Sequence, residues 1–164
     1  MLGLGLSGGL GSSPARGTGM IRTAAFTITR NANGTATLTI NPQVLFDPST
    51  LQSDLAQYGI PAKVTTGGFC SSDPAPSGFS QVVAFSPAFQ GESGQQHAQN
   101  PTVTINPATM PAGTELSVGA FQVSNGDDTA LALINTNSYT CTSAAPTTPP
   151  SSGALLHWNG SAGS

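Results

Sequence analysis

Residues 26–40 read Phe26-Thr27-Ile28-Thr29-Arg30-Asn31-Ala32-Asn33-Gly34-Thr35-Ala36-Thr37-Leu38-Thr39-Ile40, and this stretch decides the fold. Phe26 and Ile28 alternate with threonines on one side, and Ala36, Leu38 and Ile40 alternate with threonines on the other. Side chains of a strand point to opposite faces in turn, so each run offers an apolar face to a core and a threonine face to something else. Between them lies Asn33-Gly34, a pair that accepts the left-handed backbone a tight turn needs. The stretch predicts a β-hairpin.

Working outward, Asp47-Pro48 predicts a helix start, with Asp47 as N-cap and Pro48 where its missing N–H does no harm. Leu51, Leu55 and Tyr58 follow at helical spacing, and Gly59-Ile60-Pro61 closes the segment, so the helix is expected over residues 48–58. Extended sequence resumes at 62–66. Residues 67–101 are rich in Gly, Pro, Ser and Gln and read as loops around one strand, 81–85. Further strands are expected at 102–105, 115–123 and 130–134, the last two forming a second hairpin across the loop 124–128. Thr39-Ile40-Asn41-Pro42 recurs as Thr104-Ile105-Asn106-Pro107, which reads as one strand-stop signal used twice rather than a duplication.

These elements predict an α+β domain over residues 22–143. It would hold one mainly antiparallel sheet of five or six strands, with the 48–58 helix on one face and the 67–101 loops over the other. The alternative is a β-sandwich in which the helix is a connector. Residues 1–21 read as a flexible Gly/Ser-rich segment and 144–164 as a disordered Pro/Ser/Thr-rich tail, whose apolar 155–158 reads as a frayed end rather than a segment packed back on the domain.

Composition excludes several functions. Of 164 residues, 7% are charged, and the only basic side chains besides histidine are Arg16, Arg22, Arg30 and Lys63, for a net charge of −3. Phosphate binding requires clustered Lys and Arg, so nucleic acid is not a partner. Two cysteines, Cys70 and Cys141, stand apart from either histidine, which makes a zinc site a poor reading and a disulfide a good one. The alternative is two buried free thiols, but a surface carried by hydroxyl and amide groups with few charges suits an oxidising compartment, where a disulfide persists. Met1 to Leu6 is apolar yet far short of the roughly 20 residues of a membrane span, and reads equally as the end of a signal or membrane helix or as a Gly-rich start.

Catalytic constellations are thin. Gly91-Glu92-Ser93-Gly94 misses the spacing of a nucleophile elbow, and His97 lies in a polar run, so a secreted hydrolase using His97 with a serine is only the alternative reading. Asp127-Asp128 beside Asn125-Gly126 lacks the ligand spacing of a calcium loop. Gly3, Gly5 and Gly8 make a GxGxxG with no strand before it. No catalytic, metal-binding or cofactor-binding residue is therefore assigned, and no cofactor is expected.

One resemblance adds to this. Arg22 to Ile28, Asn33-Gly34-Thr35-Ala36-Thr37-Leu38-Thr39, Asp47-Pro48 and Gly59-Ile60-Pro61-Ala62-Lys63-Val64 resemble an uncharacterised family of actinobacterial extracytoplasmic domains. Its pattern is a strand, an Asn-Gly or Asp-Gly turn, a strand, then a helix leading into Gly-Ile-x-Ala-x-Val. The resemblance covers about residues 22–72 and carries no catalytic residue. Members often place a cytoplasmic segment and one membrane helix before the domain, so it implies an extracytoplasmic, membrane-anchored module. Residues 1–21 hold no such helix, so anchoring is implied only through a segment this sequence does not include. The expected function is a non-catalytic interaction or sensor-type domain, its partner a protein or envelope component. The further alternative is a structural envelope protein whose threonine faces pack on glycan or on neighbouring copies.

Overall fold

A computed structural model describes residues 19–41, 47–85, 102–123, 126–148, 150 and 153–158. In chain order the strands are β1 (Met20–Arg22), β2 (Phe26–Arg30), β3 (Ala36–Ile40), β4 (Ala62–Thr66), β5 (Phe69–Ser71), β6 (Val83–Phe85), β7 (Thr102–Ile105), β8 (Thr114–Val123), β9 (Gly126–Asn135), β10 (Thr140–Thr142) and β11 (Gly153–Trp158). Helices α1 (Pro48–Gln57) and α2 (Phe79–Val82) complete the set with a 3-10 turn at Pro107–Thr109.

The β2–β3 hairpin forms in the register Phe26 opposite Ile40 and Ile28 opposite Leu38. Its loop is one residue longer than a two-residue Asn-Gly turn. Asn31 pairs with Thr35, the Gly34 amide donates to the Asn31 carbonyl, and Gly34 takes φ +90°. That is a type I turn followed by a left-handed residue, the common three-residue loop. Asn33 Oδ1 accepts from both the amide and the hydroxyl of Thr35, locking the loop.

Helix α1 begins and ends as expected. Asp47 Oδ2 accepts from the Thr50 amide and hydroxyl, and those hydroxyl bonds with Ser49 and Thr50 hold its carboxyl below the usual value. At the other end Gly59 sits at φ +79°, with the Gly59 amide bonded to the Ala56 carbonyl and the Ile60 amide to that of Leu55. This is a Schellman cap, and Ile60 and Leu55 join the same apolar cluster.

The expectation of one sheet is corrected. Five strands form an antiparallel sheet in the order β1-β2-β3-β7-β6, and four form a second in the order β11-β9-β8-β4. A third, two-stranded ribbon pairs β10 with β5. The two larger sheets share one core: Phe26, Ile28, Leu38, Val103 and Ile105 from the first meet Val64, Leu116, Val118, Leu131 and Leu133 from the second. Leu51 and Leu55 of α1 join that cluster. The protein is thus mainly β with a little helix, sandwich-like, and the α+β expectation holds only in part. β4 follows α1 but leaves the first sheet, pairing parallel with β8 (Val64 opposite Val118). Its other edge is partly closed, because Gln52 Oε1 of α1 accepts from the Val64 amide at 2.9 Å.

Three further boundaries are corrected. Residues 20 and 21, expected in the flexible segment, form β1 with Arg22 against β2. Gly126, Asp127 and Asp128, expected in a loop, belong to β9, with Asp128 opposite Phe121 and Asp127 opposite Gln122. Residues 153–158, expected in a disordered tail, form β11 along β9, where Leu156 packs against the shared core and Leu155 against the far side of the sheet. Alternation along β11 gives the edge strand one apolar contact on each face of the sheet, in addition to its pairing with β9.

Candidate functional site

β8 and β9 are buried on both faces. Leu116, Val118, Leu131 and Leu133 face the shared core, while Phe121, Ala130 and Ala132 form a second apolar cluster with Phe69 on the outer side. That outer face is where the β5–β10 ribbon lies. The chain reaches it through Gly67, at φ +72°, whose amide donates to the Ala120 carbonyl, while the Thr65 hydroxyl donates to the Gly68 carbonyl. Gly119 admits the ribbon: a Cβ there would stand 2.5 Å from the Gly68 oxygen and 2.9 Å from Phe69 Cδ1.

The expected bond between Cys70 and Cys141 is present and joins directly opposed residues of the ribbon. The Cα atoms lie 3.9 Å apart, with Cys70 fully buried and Cys141 on the outside. The bond points to an oxidising compartment. Beyond it Ser72 is a buried tie: its hydroxyl accepts from the Asn135 amide at 2.8 Å and donates to the Ser138 carbonyl at 2.6 Å. Asn135 Nδ2 donates to the carbonyl of Pro74, which follows a cis Asp73–Pro74 bond. These contacts seat residues 69–75 on the end of β9.

Between ribbon, sheet and residues 144, 146, 148 and 150 lies a groove of about 520 Å³. Phe69, Ala132 and Pro146 are apolar residues of its wall, and Ser72, Asp73 and Thr142 are polar ones. A recess of about 270 Å³ adjoins it on the far side of Ser71 and Asp73, walled by Asn137 and Tyr139. The Lys63 ammonium rests over the Tyr139 ring, 5.5 Å from its centre. Ser117, fully buried and opposite Lys63 on one side and Ala132 on the other, has a hydroxyl with no hydrogen-bond partner among the described residues. The groove suits an uncharged or cationic amphipathic ligand, since among the described residues its lining holds a carboxylate and no cation.

Of the residues singled out from sequence, Cys70 and Cys141 meet in this ribbon. His97, Ser93 and the Gly3–Gly8 run lie outside the described residues. Among the described residues no group of three or more His, Cys, Asp or Glu could hold a metal ion, and no helix is long and apolar enough to cross a membrane. Sequence reading missed Phe69, Ser72 and Ala132 as groove residues. The one signal for them is the small-residue alternation at Ala130 and Ala132, next to large residues at Leu131 and Leu133, which leaves room on one face of β9. Compared with protein-family models, curated proteins and solved structures, the chain matches none.

Proposed function

We propose that the chain is a non-catalytic extracytoplasmic interaction domain, secreted or held at a membrane by a segment outside this sequence, with the groove beside the disulfide ribbon as its ligand site. Residues 22–72 would then represent the actinobacterial domain they resemble. The observation that carries the reading is the ribbon itself. A disulfide, the Ser72 tie and Gly119 together hold a second layer on a sheet that already has a core on its other face. That layer adds little to the main core and creates a preformed concave site of ligand size, about 520 Å³.

The test is amide NMR of the oxidised protein against a panel of small neutral and cationic amphipathic fragments. Shifts should concentrate at Phe69, Ser72, Ala132 and Thr142, and Ala132→Phe, which fills the groove, should abolish them. Shifts confined elsewhere would remove the site. A fluorophosphonate probe that labels a serine of the folded protein would overturn the non-catalytic reading in favour of the hydrolase.

A further inference from the structure

The opposite side of the sandwich carries a feature the groove does not explain. Because Phe26, Ile28, Leu38, Val103 and Ile105 face the core, the residues between them face outward, and six of these are threonines. Strand register sets them in two ranks. Thr27, Thr39 and Thr102 stand opposite one another across β2, β3 and β7, and so do Thr29, Thr37 and Thr104. Arg22 of β1 continues the first rank, and Met20 and Ala84 extend the second at its two ends. All six threonines are half-buried. Three of the side chains are held by hydrogen bonds: Asn31 Nδ2 donates to Thr37 Oγ1 at 2.9 Å, and the hydroxyls of Thr39 and Thr102 lie 3.4 Å apart. Branching at Cβ further restricts each χ1.

We propose that this face binds an extended, uncharged β-1,4-linked glycan, its chain lying along the ranks and across the strands. Neighbouring strands are about 4.8 Å apart, comparable to the length of one pyranose unit in such a chain, so successive sugars meet successive threonines. Each hydroxyl both donates and accepts, as sugar hydroxyls do, and each methyl offers contact to a sugar ring's C–H groups. Charge fits too: Arg22 at one corner is the charged residue in the two ranks, while Arg30 turns inward over the Tyr58 ring. Size argues against a second copy. Five strands of at most five residues cover about 19 by 17 Å, or roughly 320 Å², against about 800 Å² per partner in a standard stable interface. A glycan segment of a few units matches that footprint. The inference goes beyond the groove reading and stands on the opposite face, so each can fail alone.

The experiment is amide NMR titration of the whole chain with cellohexaose and, separately, chitohexaose, the two arms separating a plain glucan from an N-acetylated one. Shifts at residues 27–29, 37–39 and 102–104 with either sugar are expected. Thr29→Val with Thr104→Val keeps shape and branching but removes two hydroxyls, and should weaken binding about tenfold, the effect of losing two ordinary hydrogen bonds. Thr29→Ser with Thr104→Ser keeps the hydroxyls and should retain most of the affinity. Absence of shifts with both sugars at millimolar concentration overturns the proposal. So do shifts confined to the groove, or a valine variant that binds like the unaltered protein.

Discussion

Tyr58 ends α1 and is 2% exposed, with the Arg30 guanidinium 4.8 Å from its ring centre and its buried hydroxyl without a hydrogen-bond partner among the described residues. Burial is the main force raising its pKa above 10.0; Arg30 opposes it and Asp54 adds to it. Such a hydroxyl has lost water without gaining a bond, so Tyr58→Phe should be neutral or stabilising by up to about 1 kcal/mol. The sign of the pH dependence follows from linkage. Above pH 10 the unfolded chain releases a proton that the folded one keeps, so stability falls as pH rises past 10, and Tyr58→Phe should remove that share of the loss. Urea unfolding of both proteins between pH 8 and 11 checks both statements. Cys141 is the other decisive residue. Cys141→Ser should lower stability by about 2–5 kcal/mol, and dithiothreitol should bring the unaltered protein down to the variant in the same assay. Intact mass showing two alkylatable thiols in oxidised protein would contradict the bond.

Elements respond to their neighbours more than to their own propensities. β5 has three residues and could not persist alone; it persists because β10 pairs with it, a disulfide closes the pair and Gly119 lets it lie on β8. Gly119→Ala should therefore lift the ribbon and destabilise by about 1–3 kcal/mol, as an added methyl does in a filled site. Amide shifts should spread from Gly68 and Phe69 to Ala132, with the first sheet unchanged. β4 illustrates the same dependence: an apolar–polar alternation is visible at Ala62, Lys63 and Val64, yet nothing local states that its partner lies some fifty residues on in β8. The closure of its outer edge by Gln52 is equally a matter of where α1 comes to rest.

At the scale of the whole molecule, β11 closes the second sheet. A chain ending at residue 148 would remove it, uncover the outer edge of β9 and withdraw Leu155 and Leu156 from the two apolar clusters. The truncated protein should fold with a lower Tm and self-associate through the bare edge, a loss visible by calorimetry and light scattering. A monomer of unchanged Tm would show that β11 contributes nothing. The parts legible beforehand are those whose information is local. The 26–40 hairpin, the caps of α1 at Asp47 and Gly59, and the pairing of 115–123 with 130–134, though not the extension of that hairpin through 126–128, each follow from residues a few positions apart, acting through turn geometry, orphan backbone groups and side-chain period. The pairing of Cys70 with Cys141 was also legible, because two cysteines admit one intramolecular bond. Tertiary structure alone decided the split into two sheets, the parallel partner of β4, the capture of 153–158 and the groove beside the ribbon. Period-2 patterning says which face of a strand is buried but not which sheet takes it, and that choice falls to the packing of apolar faces far apart in the chain.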